Sequence, residues 1–98
     1  MAEGGLTLAR FQPLIGSHFT LQTDGSAPAT ARLVEARASG RAPPQGQPPF
    51  SLLFEAATEP ALPQRIYRLT HEQLGALDLF LVPVARTATG LHYEAVFG

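Results

Sequence analysis

From His18 onward the apolar residues of this chain fall largely on alternate positions, the period of a strand with one buried face. Phe19 and Leu21 alternate with His18, Thr20 and Gln22, and Asp24-Gly25 then supplies a turn. Residues 30–39 are strand-like but irregular, with Leu33 on one face and Val34, Ala36 and Ala38 on the other, which a bulge near Leu33-Val34 reconciles. The cleanest alternation is at residues 50–57, where Phe50, Leu52, Phe54 and Ala56 share a face. Residues 65–69 follow, with Tyr67 and Leu69 together. Thr70-His71-Glu72-Gln73 then has capping-box spacing and predicts a single helical turn ended at Leu74-Gly75. Residues 77–86 form the most apolar strand. Residues 90–97 pair back to it through Thr87-Ala88-Thr89-Gly90, with Leu91, Tyr93, Ala95 and Phe97 facing one way. Ahead of the strands, Leu8, Phe11, Leu14 and Ile15 recur at helical spacing behind a Thr7 cap. The spacing predicts a short helix, or two short turns if Pro13, which disfavours the α conformation at Gln12, divides it, and Gly16 ends it.

Six strands joined by short turns predict an all-β, mainly antiparallel fold: a small six-stranded barrel or a two-layer sandwich with a short N-terminal helix. A parallel doubly wound sheet needs crossover helices of about a dozen residues, for which the spacing leaves no room. Residues 40–49 hold four Pro and two Gly, too many for a ladder, and read as a loop. Neither flank of that loop can build a core of its own, so residues 1–98 form one domain.

Composition removes several function classes. The chain has no Cys, Lys, Asn or Trp. A disulfide framework, a thiolate nucleophile, a cysteine zinc site, a Schiff-base lysine, a phosphate-loop lysine and an N-glycosylation acceptor are therefore all absent from it. Seven Arg against eight acids give a net charge of −1, which argues against nucleic acid as the main partner. No apolar run is long enough to span a bilayer as a helix, and the first five residues lack the basic start and apolar stretch of a signal peptide. The expectation is a cytoplasmic chain that leaves the cell only within a larger assembly.

Candidate chemistry is sparse. His18, His71 and His92 are the only bases suited to neutral pH, and Ser17 beside His18 cannot form a nucleophile pair within a regular strand, where neighbours face opposite ways. His92 and Glu94 share a face that His18 could approach. Without a diagnostic ligand spacing, they read as the wet side of an amphipathic strand, with no metal or cofactor implied. Arg32, Arg37, Arg65 and Arg68 make no basic stripe and read as solvated or paired with Glu35, Glu55 or Glu94. No nucleophile elbow, phosphate loop or paired-carboxylate motif is present, so the chain is expected not to be an enzyme.

The stretch Leu77, Leu79, Phe80, Leu81, Val82 and Val84 is apolar on both strand faces, and a strand of that kind must be covered on both sides. Either barrel closure and the N-terminal helix cover the second face, or another chain does. In the second case Leu77, Leu79 and Leu81 form the candidate interface, with Pro83 marking an edge or bulge there.

Phe11-x-x-Leu14-Ile15-Gly16-x-x-Phe19, Phe50-Ser51-Leu52-x-Phe54 and Gln64-x-x-Tyr67-x-Leu69-x-His71-x-x-Leu74-Gly75 occur in order. They are followed by Phe80-Leu81-Val82-Pro83-Val84 and Tyr93-Glu94-Ala95-Val96-Phe97. The series resembles a family of small bacterial domains of unknown function, associated with gene neighbourhoods that encode proteins like phage-tail collar or fibre subunits. The resemblance implies no activity, cofactor or catalytic residue and points to assembly. The expected function is a non-enzymatic structural or assembly subunit that self-associates or docks on a larger bacterial or phage-tail-like particle. The alternative is a small β-barrel module that binds a peptide or small ligand.

Overall fold

Each strand of the protein meets its neighbours edge to edge until the sheet closes on itself. The computed structural model describes residues 7–23, 28–38, 49–59 and 61–97. Six strands, β1 (His18–Leu21), β2 (Ala29–Ala38), β3 (Phe50–Ala56), β4 (Arg65–His71), β5 (Gly75–Arg86) and β6 (Leu91–Phe97), form a closed barrel in the order β1-β2-β3-β6-β5-β4. All neighbouring pairs are antiparallel. The barrel therefore decides between the two architectures left open by periodicity. The expected Asp24-Gly25 turn and residues 40–48 of the Pro/Gly-rich loop lie outside the described residues.

Alternation places the core. Phe19 and Leu21 on β1, Phe50, Leu52, Phe54 and Ala56 on β3, Tyr67 and Leu69 on β4, and Leu91, Tyr93 and Ala95 on β6 all point inward and are buried. On β2 the register shifts between Leu33 and Glu35, so the extra residue Val34 bulges and both Leu33 and Ala36 face inward. This is the bulge that the broken alternation requires. A second shift, between Pro83 and Ala85 on β5, bulges at Val84.

One end of the barrel is closed by the N-terminal segment. Helix α1 (Leu8–Phe11) runs into a 3-10 turn, Gln12–Leu14, so the element is two short turns. Gln12 keeps α dihedrals, φ −56° and ψ −42°, and Pro13, which has no N–H to continue the α-helical ladder, lies in the first turn of the 3-10 segment. Thr7 stands at the cap position but makes no side-chain capping bond. Gly16, at φ +96°, carries the chain out of the turn through a conformation that side chains resist. Phe11 lies over the stacked rings of Phe50 and Phe97, with centroids 6.0 and 5.9 Å away. At the opposite end the connection after β3 crosses the barrel mouth. Leu62 N–H donates to the Tyr93 hydroxyl at 2.9 Å, and the Tyr67 hydroxyl donates to the Pro63 carbonyl at 2.6 Å.

The helical turn predicted at Thr70–Gln73 does not form. Thr70 and His71 continue β4, and a tight turn leads into Gly75 at φ +77°. The Gln73 N–H donates to His71 Nδ1 at 3.0 Å, so the imidazole accepts the bond that the Thr70 hydroxyl would have taken in a capping box.

Candidate functional site

Three surface features carry the side chains capable of chemistry or contact. The first joins Ser17 and His71, separated by 54 residues in sequence. His71 is the only buried polar or charged side chain among the described residues, and its ring packs 4.6 Å from that of Phe19. Nδ1 accepts the Gln73 N–H, so the ring proton is on Nε2, which lies 3.0 Å from Ser17 Oγ. The Ser17 hydroxyl in turn donates to the Leu14 carbonyl at 2.5 Å. Proton direction runs His71 to Ser17 to Leu14. An imidazole with its Nε2 already protonated cannot take the serine proton, so the pair acts as a clasp that ties the helical segment to β4 rather than as a nucleophile and base. His18, Thr20, Thr70 and Glu72 line the open hollow beside it.

The second feature is a lateral row across four strands, in which His18 pairs with Arg32, Arg32 with Glu55, and Glu55 with His92. The Glu55 carboxylate accepts the Thr89 hydroxyl at 2.8 Å, lies 3.1 Å from His92 Nε2, and accepts the Arg32 guanidinium at 3.2 Å. Thr87 Oγ1 accepts the N–H groups of Thr89 and Gly90, which shapes the β5–β6 turn so that Thr89 reaches Glu55. These bonds, the Thr89 hydroxyl first, then His92 and Arg32, hold the Glu55 carboxyl down to about 2 from 4.5. The arrangement fastens the β5–β6 turn to the barrel wall.

A carboxyl more acidic in the fold than in the open chain stabilises the fold above pH 4.5, and that contribution is lost as pH falls through about 2. Glu55→Gln is therefore expected to lower the urea midpoint at pH 6, with the gap to wild type closing as pH approaches 2. Identical midpoints at pH 6 would show that the network does not stabilise the fold. Glu94 does not join His92 and His18 in a ligand set. Among the described residues no group of three or more His, Asp or Glu side chains is placed to hold a metal ion.

The third feature is the outer wall of β4, β5 and β6, and here the expected interface is corrected. Leu79 and Leu81 are 4% and 0% exposed and belong to the core, and Leu77 is half-buried against it. None of the three faces outward as a contact surface. Pro83 is exposed beside the β5 bulge, in the part of the strand that runs past the last β4 partner, Leu81. The outward residues are those of the other parity. Ile66 and Phe80, paired across β4 and β5, are 65% and 50% exposed. Val96 on β6, two residues beyond the Val82–Glu94 pair as Phe80 is, is 68% exposed. The next outward-facing pair along β4 and β5 is Arg68–Asp78, a two-bond ion pair with contacts of 3.0 and 3.3 Å. Each partner stabilises the other's charge, lowering the Asp78 pKa and raising that of Arg68.

Residues 6–97 match the family described as Domain of unknown function (DUF6916). The chain belongs to this family. No curated protein and no solved structure matches it. For this DUF6916 chain no helix among the described residues is long and apolar enough to cross a membrane. The apolar wall of the DUF6916 barrel had a readable signal. Asp78 shares its parity with Phe80 and Val82, and a charge in the middle of a doubly apolar strand marks the face turned to water. The Ser17–His71 clasp had none, because it depends on barrel closure.

Proposed function

We propose that this DUF6916 chain is a non-enzymatic structural or assembly subunit, seated in a larger bacterial or phage-tail-like assembly through the outer wall of β4, β5 and β6. The observation that carries this reading is the row Ile66, Phe80 and Val96, three large apolar side chains at least half exposed on one side of the barrel. Burying a side chain of this size is worth roughly 1.5–3 kcal/mol, so leaving three in water favours a surface that becomes covered.

Two further observations support it. The polar groups best suited to catalysis are engaged in holding the fold: His71 and Ser17 clasp the N-terminal segment, and Glu55 anchors a turn. A ligand held inside the barrel is less well supported, because Phe19, Phe54, Tyr93 and the inward leucines occupy the interior of so narrow a barrel.

The test uses the tagged chain expressed in its native host. Wild type is expected to purify within a particle larger than its own 10.5 kDa. Phe80→Glu, which alters only the outer wall, should release the free chain with an unchanged β circular-dichroism spectrum. Recovery of wild type as the free chain, or of Phe80→Glu in the same particle, would overturn the reading.

A further inference from the structure

We propose that the β4–β5 wall packs against the same wall of a second copy of this chain, about a two-fold axis lying along the strands between β4 and β5. The proposal rests on the preceding reading of this wall as a contact surface and names its occupant.

The argument comes from which residues are paired across the two strands. Ile66 stands opposite Phe80, and Arg68 stands opposite Asp78. A two-fold axis running between β4 and β5, parallel to them, exchanges the two strands when a second copy faces the first. Ile66 of one copy then meets Phe80 of the other, and Arg68 meets Asp78. Each cross-strand pair consists of complementary members, apolar with apolar and cation with anion, so the wall is its own complement under this operation. A two-fold contact between identical surfaces requires that property. The axis direction also agrees with the way two sheets pack face to face, with strand directions within about 30° of one another and about 10 Å between sheets.

The ion pair has spare bonding capacity for such a contact. Within one chain, Arg68 uses Nε and one terminal nitrogen on the two oxygens of Asp78. An arginine has five N–H donors, so three remain for a second carboxylate, and each carboxylate oxygen has a further lone pair. Both side chains are about half exposed and reach outward, beside the apolar pair. Two such pairs brought together form a square of alternating charge beside a greasy cluster of two Ile66 and two Phe80 side chains. That geometry favours the second copy over a partner of one sign, to which a neutral pair offers no net attraction.

Light scattering on the purified chain over a dilution series tests the proposal through charge exchange. Wild type is expected to reach twice the 10.5 kDa chain mass as concentration rises. Arg68→Glu leaves two acids on the wall and Asp78→Arg leaves two arginines, so each alone should remain at monomer mass. Mixed in equal amounts, they should regain the doubled mass, because every acid of one variant then faces an arginine of the other. The exchanged double variant, Arg68→Glu with Asp78→Arg, restores the pair within each chain and should dimerise like wild type, which guards against a single variant that folds poorly. Dimers of either single variant at wild-type concentrations, or a mixture that stays monomeric, would overturn the two-fold arrangement. If the mixture fails while the native particle still depends on Phe80, the second copy falls and the wall's role in assembly stands.

Discussion

Replacing Leu81 by glutamate is expected to abolish folding, whereas the same change at Phe80, one residue earlier on β5, leaves the barrel intact. The two positions differ in parity alone. Leu81 is wholly buried and its β4 partner Arg65 is exposed, so the change places a carboxylate among leucine and aromatic side chains that Arg65 meets only by leaving water. Burying an unpaired charge costs about 4–5 kcal/mol or more, as much as many domains have in total. Phe80 is half exposed, and its glutamate replacement points into water beside Ile66. The expected Leu81→Glu result is loss of the β circular-dichroism signal and of cooperative melting, with both kept in Phe80→Glu. A Leu81→Glu protein that melts cooperatively near the wild-type temperature would place that side chain outside the core.

That contrast also shows where the sequence stops being legible. Strict alternation identifies the inner face wherever one face is polar, which is why Phe50, Leu52, Phe54 and Ala56 on β3 were readable at once. The broken alternation at Leu33 and Ala36 was equally informative, because only an extra residue lets both reach the core. On β5 both faces are apolar, so alternation locates the strand while the charge of Asp78 alone marks its outer face, and without that cue Leu79 and Leu81 read as well outside as inside. Strand order resolves this by adding neighbours: β5 lies between β4 and β6, whose inward residues Tyr67 and Tyr93 pair with Leu79 and Pro83. The turn after β4 misled for a different reason. Thr70 and Gln73 have the spacing of a helix cap, yet the imidazole between them offers the Gln73 N–H an acceptor that keeps the preceding residues extended.

The N-terminal segment provides the second large expected effect, because almost nothing local holds it in place. A helix of four residues is far too short to persist alone, so its order comes from what it packs on. Phe11 is fully buried against the Phe50 and Phe97 rings, themselves stacked at 4.4 Å. Backbone bonds add to this on either side of the turn: the Gly16 N–H donates to the Leu33 carbonyl at 2.7 Å, and the Leu33 N–H to the Ser17 carbonyl at 3.0 Å. These bonds sit beside the Val34 bulge, where β2 has run beyond its pairing with β1 at Arg32. Phe11→Ala empties the space between segment and barrel and is expected to cost about 3–5 kcal/mol, read as a lower urea midpoint. Ser17→Ala, which removes a single hydroxyl from the clasp, should cost about 1–3 kcal/mol. Amide exchange distinguishes a loosened plug from general weakening. If the segment lifts away in Phe11→Ala, Gly16 and Leu33 lose protection while Leu52 and Leu69, inside the ladders, exchange only with global unfolding. A Phe11→Ala loss below about 1 kcal/mol, outside the cost of an emptied aromatic site, would mean that the barrel end closes without its plug.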